Sequence, residues 1–360
     1  MNLRSTADDP EEGRQGQAPA TAPGASHLLA PLLQMMAAKA TYAAAELGIA
    51  DRLAEGVQTT DGLAAATGTH APSLRRLLHV LVGLGLVARQ APDRFELTEA
   101  GRPLRDDVPD SVRGVVLMGG GPQTWRSWEQ LVPSLRTGTP AWDLAHGMSW
   151  IEYYTGNPGP AAVFHRSQAE HTRDAIPGIV AAADFSRFPT VVDVGGGDGT
   201  LIARILRDHP GLDGVLFDAP GALAGAERTL SGAGVQRRCR VVDGDFFEKV
   251  PADGDAYILK EILHDWDDQR SVDILRTIRS AIRPGGRLLV IERRLPDTAV
   301  AGRGETHAYL RDLLMLVVTG GRERTESEFA DLFAEAGFRL EHATEPFAPF
   351  GYSVLEGAPV

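Results

Sequence analysis

A glycine-rich run is the part of the sequence whose residue types most clearly suggest chemistry. Residues 191–200 place one acidic residue and three glycines in the spacing Asp193-x-Gly195-x-Gly197-x-Gly199. Glycines in such a run let the chain turn tightly and bring its backbone close to a ligand. A dinucleotide fingerprint would need glycine where Thr200 stands, and a P-loop would need Gly-Lys-Ser/Thr at its end. The run fits neither motif, and its acidic residue suits a ligand that carries a positive charge.

Acidic residues also follow the next two predicted strands. Asp218 lies 25 positions after Asp193, and Asp245 and Phe246 follow the third strand. The carboxyl ends of parallel strands open into one crevice, where Asp218 could accept ribose hydroxyls and Asp245 an adenine amino group beside the Phe246 ring. Each acid alone could be a turn residue, but three in register indicate a cofactor crevice. The glycine run resembles D-x-G-x-G-x-G, the first motif of class I methyltransferases, which implies S-adenosylmethionine (SAM), a sulfonium cation, as the cofactor.

A histidine after the fourth predicted strand is the candidate general base. His264 would lie on the ligand side of the sheet, and a neutral imidazole there can take the proton of a phenol. Glu292 ends the fifth strand and Glu323 precedes a helix. Two carboxylates directed at one imidazole would fix its tautomer and stabilise the imidazolium. The alternative interpretation of His264 is a surface residue at a helix start.

Other acidic residues near these positions have structural interpretations. Asp267 and Asp268 suit the first turn of a helix, where negative charge is favoured by the helix dipole. Glu328 completes a capping box with Thr325. The spacing around His264 matches no standard zinc site, so we predict no metal.

The elements that must position these residues alternate between strand and helix from residue 188 onward. This alternation predicts a Rossmann-like α/β domain built on a parallel sheet. The last two strands are expected to form an antiparallel pair at one edge. The predicted strands are residues 190–194, 214–218, 238–242, 255–259, 287–292, 339–344 and 352–356.

The N-terminal part has the pattern of a winged helix. An apolar helical segment at 28–50 precedes a short helix, a helix from about Pro72 with an apolar stripe, and a hairpin around 92–94. A DNA-reading helix would offer little besides Arg75, Arg76 and His79, in acidic surroundings. The apolar helices instead favour a dimerisation and lid domain.

The segment 111–180 is predicted to be helical and is rich in aromatic residues. With one residue from the C-terminal part, it could wall a pocket for a flat acceptor. The candidate wall residues are Trp142, Trp150, Tyr153, Tyr154, Phe164 and Met315. The predicted organisation is a disordered tail (1–25), a winged-helix-like domain (26–110), a helical linker and acceptor-pocket segment (111–180), and a SAM-binding domain (181–360).

Composition excludes several classes of function. The chain has 360 residues, 43% of them hydrophobic, and a net charge of −12. An acidic chain is a poor partner for nucleic acid or anionic membranes. The single cysteine, Cys239, excludes an internal disulfide and favours a cytoplasmic location.

At these motifs the chain resembles a known family over about residues 26–357. It resembles the caffeate-type O-methyltransferases of plants and the bacterial anthracycline and mitomycin tailoring enzymes, which are class I SAM-dependent enzymes. The motifs that carry the resemblance are the glycine run, Gly244-Asp245-Phe246-Phe247, Leu259-Lys260-x-x-x-His264-Asp265-Trp266 and Gly320-Gly321-x-Glu323-Arg324-Thr325.

The resemblance implies a winged-helix-like dimerisation domain, a homodimer, and His264 as a general base flanked by Glu292 and Glu323. It implies a SAM site formed by Asp193, Gly195, Gly197, Asp218, Asp245, Phe246, Lys260 and Trp266. Asp265 joins the acceptor contacts, and Gln168 stands where plant members carry methionine, so the acceptor pocket differs.

The predicted function is methyl transfer from SAM to a hydroxyl, expected to be phenolic, of a small aromatic secondary metabolite. Two alternatives stay open: a SAM-binding relative that catalyses another tailoring step such as hydroxylation, and a winged-helix transcriptional regulator.

Overall fold

The computed structural model describes residues 25–298 and 303–360. The tail predicted at 1–25 lies outside these residues except for its last position, where the first helix begins. The N-terminal unit contains four helices and a small sheet. These are α1 Ala25–Glu46, α2 Ile49–Ala54, β1 Gln58–Thr59, α3 Thr60–Thr67, α4 Ala71–Gly83, β2 Val87–Ala91 and β3 Arg94–Leu97.

The local signals in the sequence explain this unit. The Thr59 side chain caps α3 by accepting the backbone N–H of Gly62. Helix α4 buries Leu74, Leu78 and Leu81, which recur at the helical spacing. Strand β3 pairs antiparallel with both β1 and β2. The predicted winged-helix-like arrangement of helices and hairpin is therefore confirmed.

Six helices connect this unit to the sheet domain. They are α5 Arg113–Gly120, α6 Pro122–Glu129, α7 Leu131–Thr137, α8 Ala141–His146, α9 Trp150–Gly156 and α10 Pro158–Ala182. The long helix α10 is tied to the start of α5 by the buried Glu170, whose Oε2 accepts the Val115 N–H at 2.9 Å. This contact holds α10, which carries Phe164 and Gln168, against α5.

The C-terminal domain is built on seven strands in the order β6-β5-β4-β7-β8-β10-β9. The first five are parallel, and β10 runs antiparallel to β8 and β9, so the predicted edge pair is confirmed. The strands are β4 Thr190–Val194, β5 Asp213–Asp218, β6 Cys239–Asp243, β7 Ala256–Lys260, β8 Arg287–Arg293, β9 Phe338–Ala343 and β10 Tyr352–Pro359.

Helices cover both faces of this sheet. Alternate residues of β4 enter opposite cores: Val191 packs in one and Val192 in the other. Asp267 caps α13, and Thr325 with Glu328 forms the predicted capping box of α15. The helices are α11 Thr200–Asp208, α12 Ala226–Gly232, α13 Asp268–Ala281, α14 Arg303–Val318 and α15 Glu326–Glu335. None of the helices described is both long and apolar enough to cross a membrane.

Candidate active site

The glycine run forms the turn between β4 and α11. Gly195, Gly197 and Gly199 all have positive φ angles, of 72°, 59° and 80°, a region that L side chains rarely adopt. A Cβ on Gly195 would lie 2.3 Å from Ile262 Cδ1, whereas one on Gly197 would meet nothing within 4 Å. The turn is thus packed against the neighbouring loop at Gly195 and open at Gly197.

Two carboxylates underlie this turn. Asp218 Oδ2 accepts the Gly197 N–H at 2.8 Å, and Oδ1 accepts the Ala219 N–H at 2.7 Å. Each oxygen has a second lone pair, so ribose hydroxyls have acceptors here. Asp193 is buried, its Oδ2 has no hydrogen-bond partner among the described residues, and burial raises its pKa to about 7. An unpaired acid beneath an open glycine turn fits a cationic cofactor.

Aromatic side chains gather beyond the end of β6. The Phe246 and Trp266 rings meet edge to face at 6.2 Å, and Phe247 lies 4.7 Å from Trp266. Asp245 is exposed, and its Oδ1 accepts the Phe247 N–H at 2.8 Å, which holds the turn. The structure therefore brings Phe246 and Trp266 together, and contact of these residues with adenine stays a prediction.

Lys260 belongs to a buried ionic group that sequence reasoning did not identify. Its Nζ lies 2.6 Å from Glu261 Oε2, and Arg293 Nη1 donates to Glu261 Oε1 at 2.5 Å. Glu261 has a positive φ of 52°. The Lys260 charge also opposes the rise that burial causes in the pKa of Asp193. No spacing in the sequence predicts a buried carboxylate at position 261.

His264 lies in a buried cluster of three carboxylates. Its Nδ1 is 3.2 Å from Glu292 Oε2 and 3.5 Å from Glu323 Oε1. Its other ring nitrogen, Nε2, is 3.6 Å from Asp265 Oδ1. The structure thus brings together all three predicted catalytic residues, which are separated by up to 59 positions in the chain, with both glutamates on one side of the ring.

Glu292 also holds the loop of His264 in place, through its other carboxylate oxygen. Its Oε1 accepts the backbone N–H groups of Ile262 and Leu263 at 2.9 Å each, and that of His264 at 3.4 Å. From the other side, the fully buried Arg324 donates to the carbonyls of Leu263 and Trp266 at 2.9 and 2.8 Å. Arg324 also donates through Nε to Asp268 Oδ1 at 3.0 Å. The sequence marks Arg324 only as part of a motif, because these partners lie more than 50 positions away.

The cluster shifts the protonation of its members. Burial by itself lowers the pKa of His264, but the charges of Glu292, Glu323 and Asp265 outweigh it and raise the pKa to about 10. Burial raises the pKa of Asp265 to about 6, against the attraction of His264. An imidazole held between carboxylates is therefore a stronger base than a free one.

The three closest donor atoms of His264, Glu292 and Glu323 lie within 4.8 Å of one another, a spacing that a metal ion could bridge. The hydrogen bonds argue against that use. Glu292 Oε1 is already occupied by three amides. A closed cluster of this kind also lacks the open position that a catalytic metal needs.

The predicted acceptor residues lie mostly in one aromatic cluster. Tyr154 stacks on Phe164 at 4.7 Å, and Trp150 lies 5.7 Å from Phe164. These three and Gln168 are partly exposed, whereas Trp142 has no exposed surface and Met315 only 5%. Trp142 packs behind Tyr154 at 5.6 Å, so it can shape the wall without touching a ligand.

A cavity of about 210 Å³ has Tyr154 as one of its lining residues. It is lined by residues of α1, α5, α6 and α10, including Tyr42, Met118, Thr124 and Val163. None of its lining residues belongs to the His264 cluster, so we do not place the reaction there.

Comparisons with known proteins match both parts of the chain. An O-methyltransferase domain family matches residues 128–339, and an O-methyltransferase dimerisation domain matches residues 31–106. The chain is 41% identical to phenazine O-methyltransferase PhzM of Lysobacter antibioticus, over 94% of this chain and 98% of that protein. It is 42% identical to O-demethylpuromycin-O-methyltransferase of Streptomyces alboniger, over 88% and 84%.

Two further matches include both an O-methyltransferase and an N-methyltransferase. An O-methyltransferase from neocarzinostatin biosynthesis, solved with SAM and 2-hydroxy-5-methyl naphthoic acid, superposes with a TM-score of 0.77 at 35% identity, over 95% of this chain and all of that one. An 8-amino-8-demethylriboflavin N,N-dimethyltransferase of Streptomyces davaonensis is 36% identical over 83% of this chain and 86% of that protein.

Proposed function

This chain belongs to the SAM-dependent O-methyltransferases of secondary metabolism, and from that premise we propose that it methylates a phenolic hydroxyl of a small aromatic acceptor with His264 as the general base. The observation that carries the proposal is that the two ring nitrogens of His264 have different surroundings. Both glutamates lie on the Nδ1 side, whereas the one carboxylate of the described residues within 4 Å of Nε2 is Asp265, at 3.6 Å. Nε2 is therefore the atom that faces an acceptor.

The residues that would hold SAM are those around the glycine turn. Gly195 and Gly197 supply backbone, Asp218 supplies acceptors for ribose hydroxyls, and Phe246 and Trp266 supply aromatic surface. Asp193, Asp245 and Lys260 complete the proposed site. When bound there, SAM supplies an electrophilic methyl group on a sulfonium cation.

His264 would take the acceptor proton through Nε2, so that the oxygen could accept the methyl group that SAM would supply on becoming S-adenosylhomocysteine. The His264 pKa of about 10 lies near that of a phenol, so proton transfer between them costs little free energy. Glu292 and Glu323 stabilise the imidazolium, and general-base action of this kind contributes roughly 10²–10⁴-fold to rates. Correct placement of both reactants in a site shielded from water supplies much of the remainder.

The acceptor would lie between this imidazole and the aromatic cluster. Trp150, Tyr154 and Phe164 offer flat surfaces that suit an aromatic ring. Gln168 and Asp265 offer polar contacts, and Met315 and Trp142 support the wall from behind. This arrangement favours a planar phenol over an aliphatic alcohol.

The family also fits two broader proposals. The dimerisation domain supports a homodimer, and the single buried cysteine, Cys239, suits a cytoplasmic location. N-methylation is the second candidate activity, since one relative is named as an N,N-dimethyltransferase. A general base such as His264 assists O-methylation more than N-methylation, because a neutral aromatic amine can attack before it loses a proton.

The test is the variant His264→Ala. We expect kcat to fall roughly 10²–10⁴-fold, while the Kd for S-adenosylhomocysteine (SAH) stays within about twofold, because His264 is not proposed to hold SAM. His342→Ala, an exposed histidine of β9, is the matched control. Methylated product is measured by mass spectrometry with labelled SAM, and SAH binding by calorimetry. Unchanged turnover, or equal loss of turnover and SAH affinity, would remove His264 from this role.

A further inference from the structure

Arg311 on α14 is an incompletely paired cation beside the proposed site. Its side chain is only 26% exposed, and its nearest carboxylate atom is Glu261 Oε1, 3.6 Å from Nη2. The buried Nε atom has no hydrogen-bond partner among the described residues. A guanidinium offers five N–H donors and stays charged, so most of the binding capacity of Arg311 is unused.

Glu261 is already neutralised by closer partners. Its Oε2 pairs with Lys260 at 2.6 Å and its Oε1 with Arg293 at 2.5 Å. Arg293 is itself fully engaged, because it also donates to the Tyr352 hydroxyl at 2.6 Å and the Phe350 carbonyl at 3.2 Å. Arg311 is therefore not required to pair with Glu261 and can serve another anion.

The position of Arg311 favours the acceptor side of the site. Burial raises the pKa of Asp265, and the Arg311 charge opposes that rise. The same charge contributes, after His264 and Arg293, to the lowered pKa of Glu323. Lys260, by contrast, is the cation whose charge opposes the rise in the pKa of Asp193. Arg311 lies four positions before Met315, on the same face of α14. The next residue, Asp312, accepts the Glu323 N–H through Oδ1 at 3.0 Å. Arg311 is thus held between the His264 cluster and the proposed acceptor wall.

We propose that Arg311 binds a carboxylate carried by the aromatic acceptor near the hydroxyl that is methylated. The proposal rests on the proposed function, since it assigns the substrate class of that site: hydroxylated aromatic acids. A guanidinium pairs with a carboxylate through two parallel N–H···O bonds, which would orient the ring as well as bind it. The nearby His171 adds no competing charge, because burial lowers its pKa to about 4.

The experiment compares Arg311→Met with wild type on matched acceptor pairs. Each pair is a hydroxylated aromatic acid and its primary amide, such as 1-hydroxy-2-naphthoic acid and its amide, drawn from benzoic, naphthoic and phenazine series. Arg207→Met, an arginine of α11 whose side chain is 58% exposed, is the matched control. Arg311→Lys tests whether charge without the planar fork suffices.

We expect wild type to prefer the acid, and Arg311→Met to raise KM for the acid roughly 10- to 100-fold while changing KM for the amide less than threefold. Arg311→Lys should recover part of the loss. Calorimetric SAH binding, unchanged in every variant, shows that the protein is folded and that the methionine carboxylate of the donor is not the anion bound.

Three results would overturn the inference: equal loss for acid and amide, which would make Arg311 a counter-ion of the cluster; loss of SAH affinity; or no preference for any acid by wild type. Each leaves methylation of neutral phenols by wild type intact. Failure of the proposed function would instead appear as absence of methyl transfer to every acceptor, acid or amide.

Discussion

The imidazole of His264 has one nitrogen between two glutamates, and these glutamates are not equivalent. The single N–H that Nδ1 can carry has Glu292 at 3.2 Å and Glu323 at 3.5 Å. Glu292 is held by three backbone amides, whereas both oxygens of Glu323 are buried without a hydrogen-bond partner among the described residues. Glu292 therefore holds the loop that carries His264, while Glu323 acts on the ring through its charge.

This difference predicts a shifted pH profile for Glu323→Gln. With the His264 pKa near 10, kcat/KM of wild type should rise between about pH 7 and 10 as the imidazole loses its proton. Removing one carboxylate charge destabilises the imidazolium and lowers the pKa of His264, so the rise should move to lower pH by roughly one unit or more. The profile is measured at saturating SAM.

Glu248→Gln, at an exposed position, should leave the profile unchanged. A Glu323→Gln profile identical to that of wild type, or shifted to higher pH, would contradict the assignment of charge to Glu323. A loss of activity at every pH without a shift would show that Glu323 contributes geometry instead.

At the scale of elements, the decisive unit is the short turn after β7 that carries His264. It has no regular strand pairing of its own. Glu292 binds its amides, Arg324 binds its carbonyls, and Gly321 packs against its outer side. A Cβ on Gly321 would lie 2.0 Å from the His264 carbonyl oxygen and 2.7 Å from the Trp266 nitrogen. Only glycine permits this approach.

Gly321→Ala should therefore displace the turn and lower kcat by roughly 10²-fold, because a displacement of about 1 Å in the reacting groups costs that much. Gly119→Ala in α5 is the control, since a Cβ there meets nothing within 4 Å and alanine favours a helix. Activity and thermal unfolding are measured for both. Full activity of Gly321→Ala would show that the turn tolerates the shift.

At the scale of the whole molecule, one surface of α1 is left uncovered by the other described residues. Leu29, Leu32, Leu33 and Met36 follow the helical spacing but are 51–67% exposed. The apolar helix predicted here is thus present, yet this surface does not enter the core that the described residues form. A contiguous apolar surface of this kind marks an interaction site, and its domain family is named for dimerisation.

The double variant Leu32→Glu/Leu33→Glu should convert the proposed homodimer to a monomer, because charges in a buried apolar interface are costly. Light scattering coupled to size-exclusion chromatography measures the mass, and SAH binding reports on the fold. Val241→Glu, which is 43% exposed on the edge strand β6, serves as the control. A double variant that stays dimeric would place the interface elsewhere.

Local rules in the sequence determined the elements and much of the reaction centre. The alternation of strand-like and helical segments located the seven strands to within one or two residues at most ends. The glycine spacing located the turn, with Asp193 and Asp218 on neighbouring strands. His264, Glu292 and Glu323 were recognisable because each follows or precedes an element in a familiar motif. These features depend on residues near one another in the chain.

Only the tertiary structure decided which atoms meet. One oxygen of Glu292 accepts three backbone amides, and Glu261 meets Arg293 and Arg311 besides its neighbour Lys260. These long-range partners lie 28 to 50 residues away. Arg311 Nε is left without a hydrogen-bond partner among the described residues. Trp142 is likewise behind the aromatic wall and the α1 stripe outside the core. Residue type sets what a side chain can bind, but long-range packing sets which groups are left for a ligand.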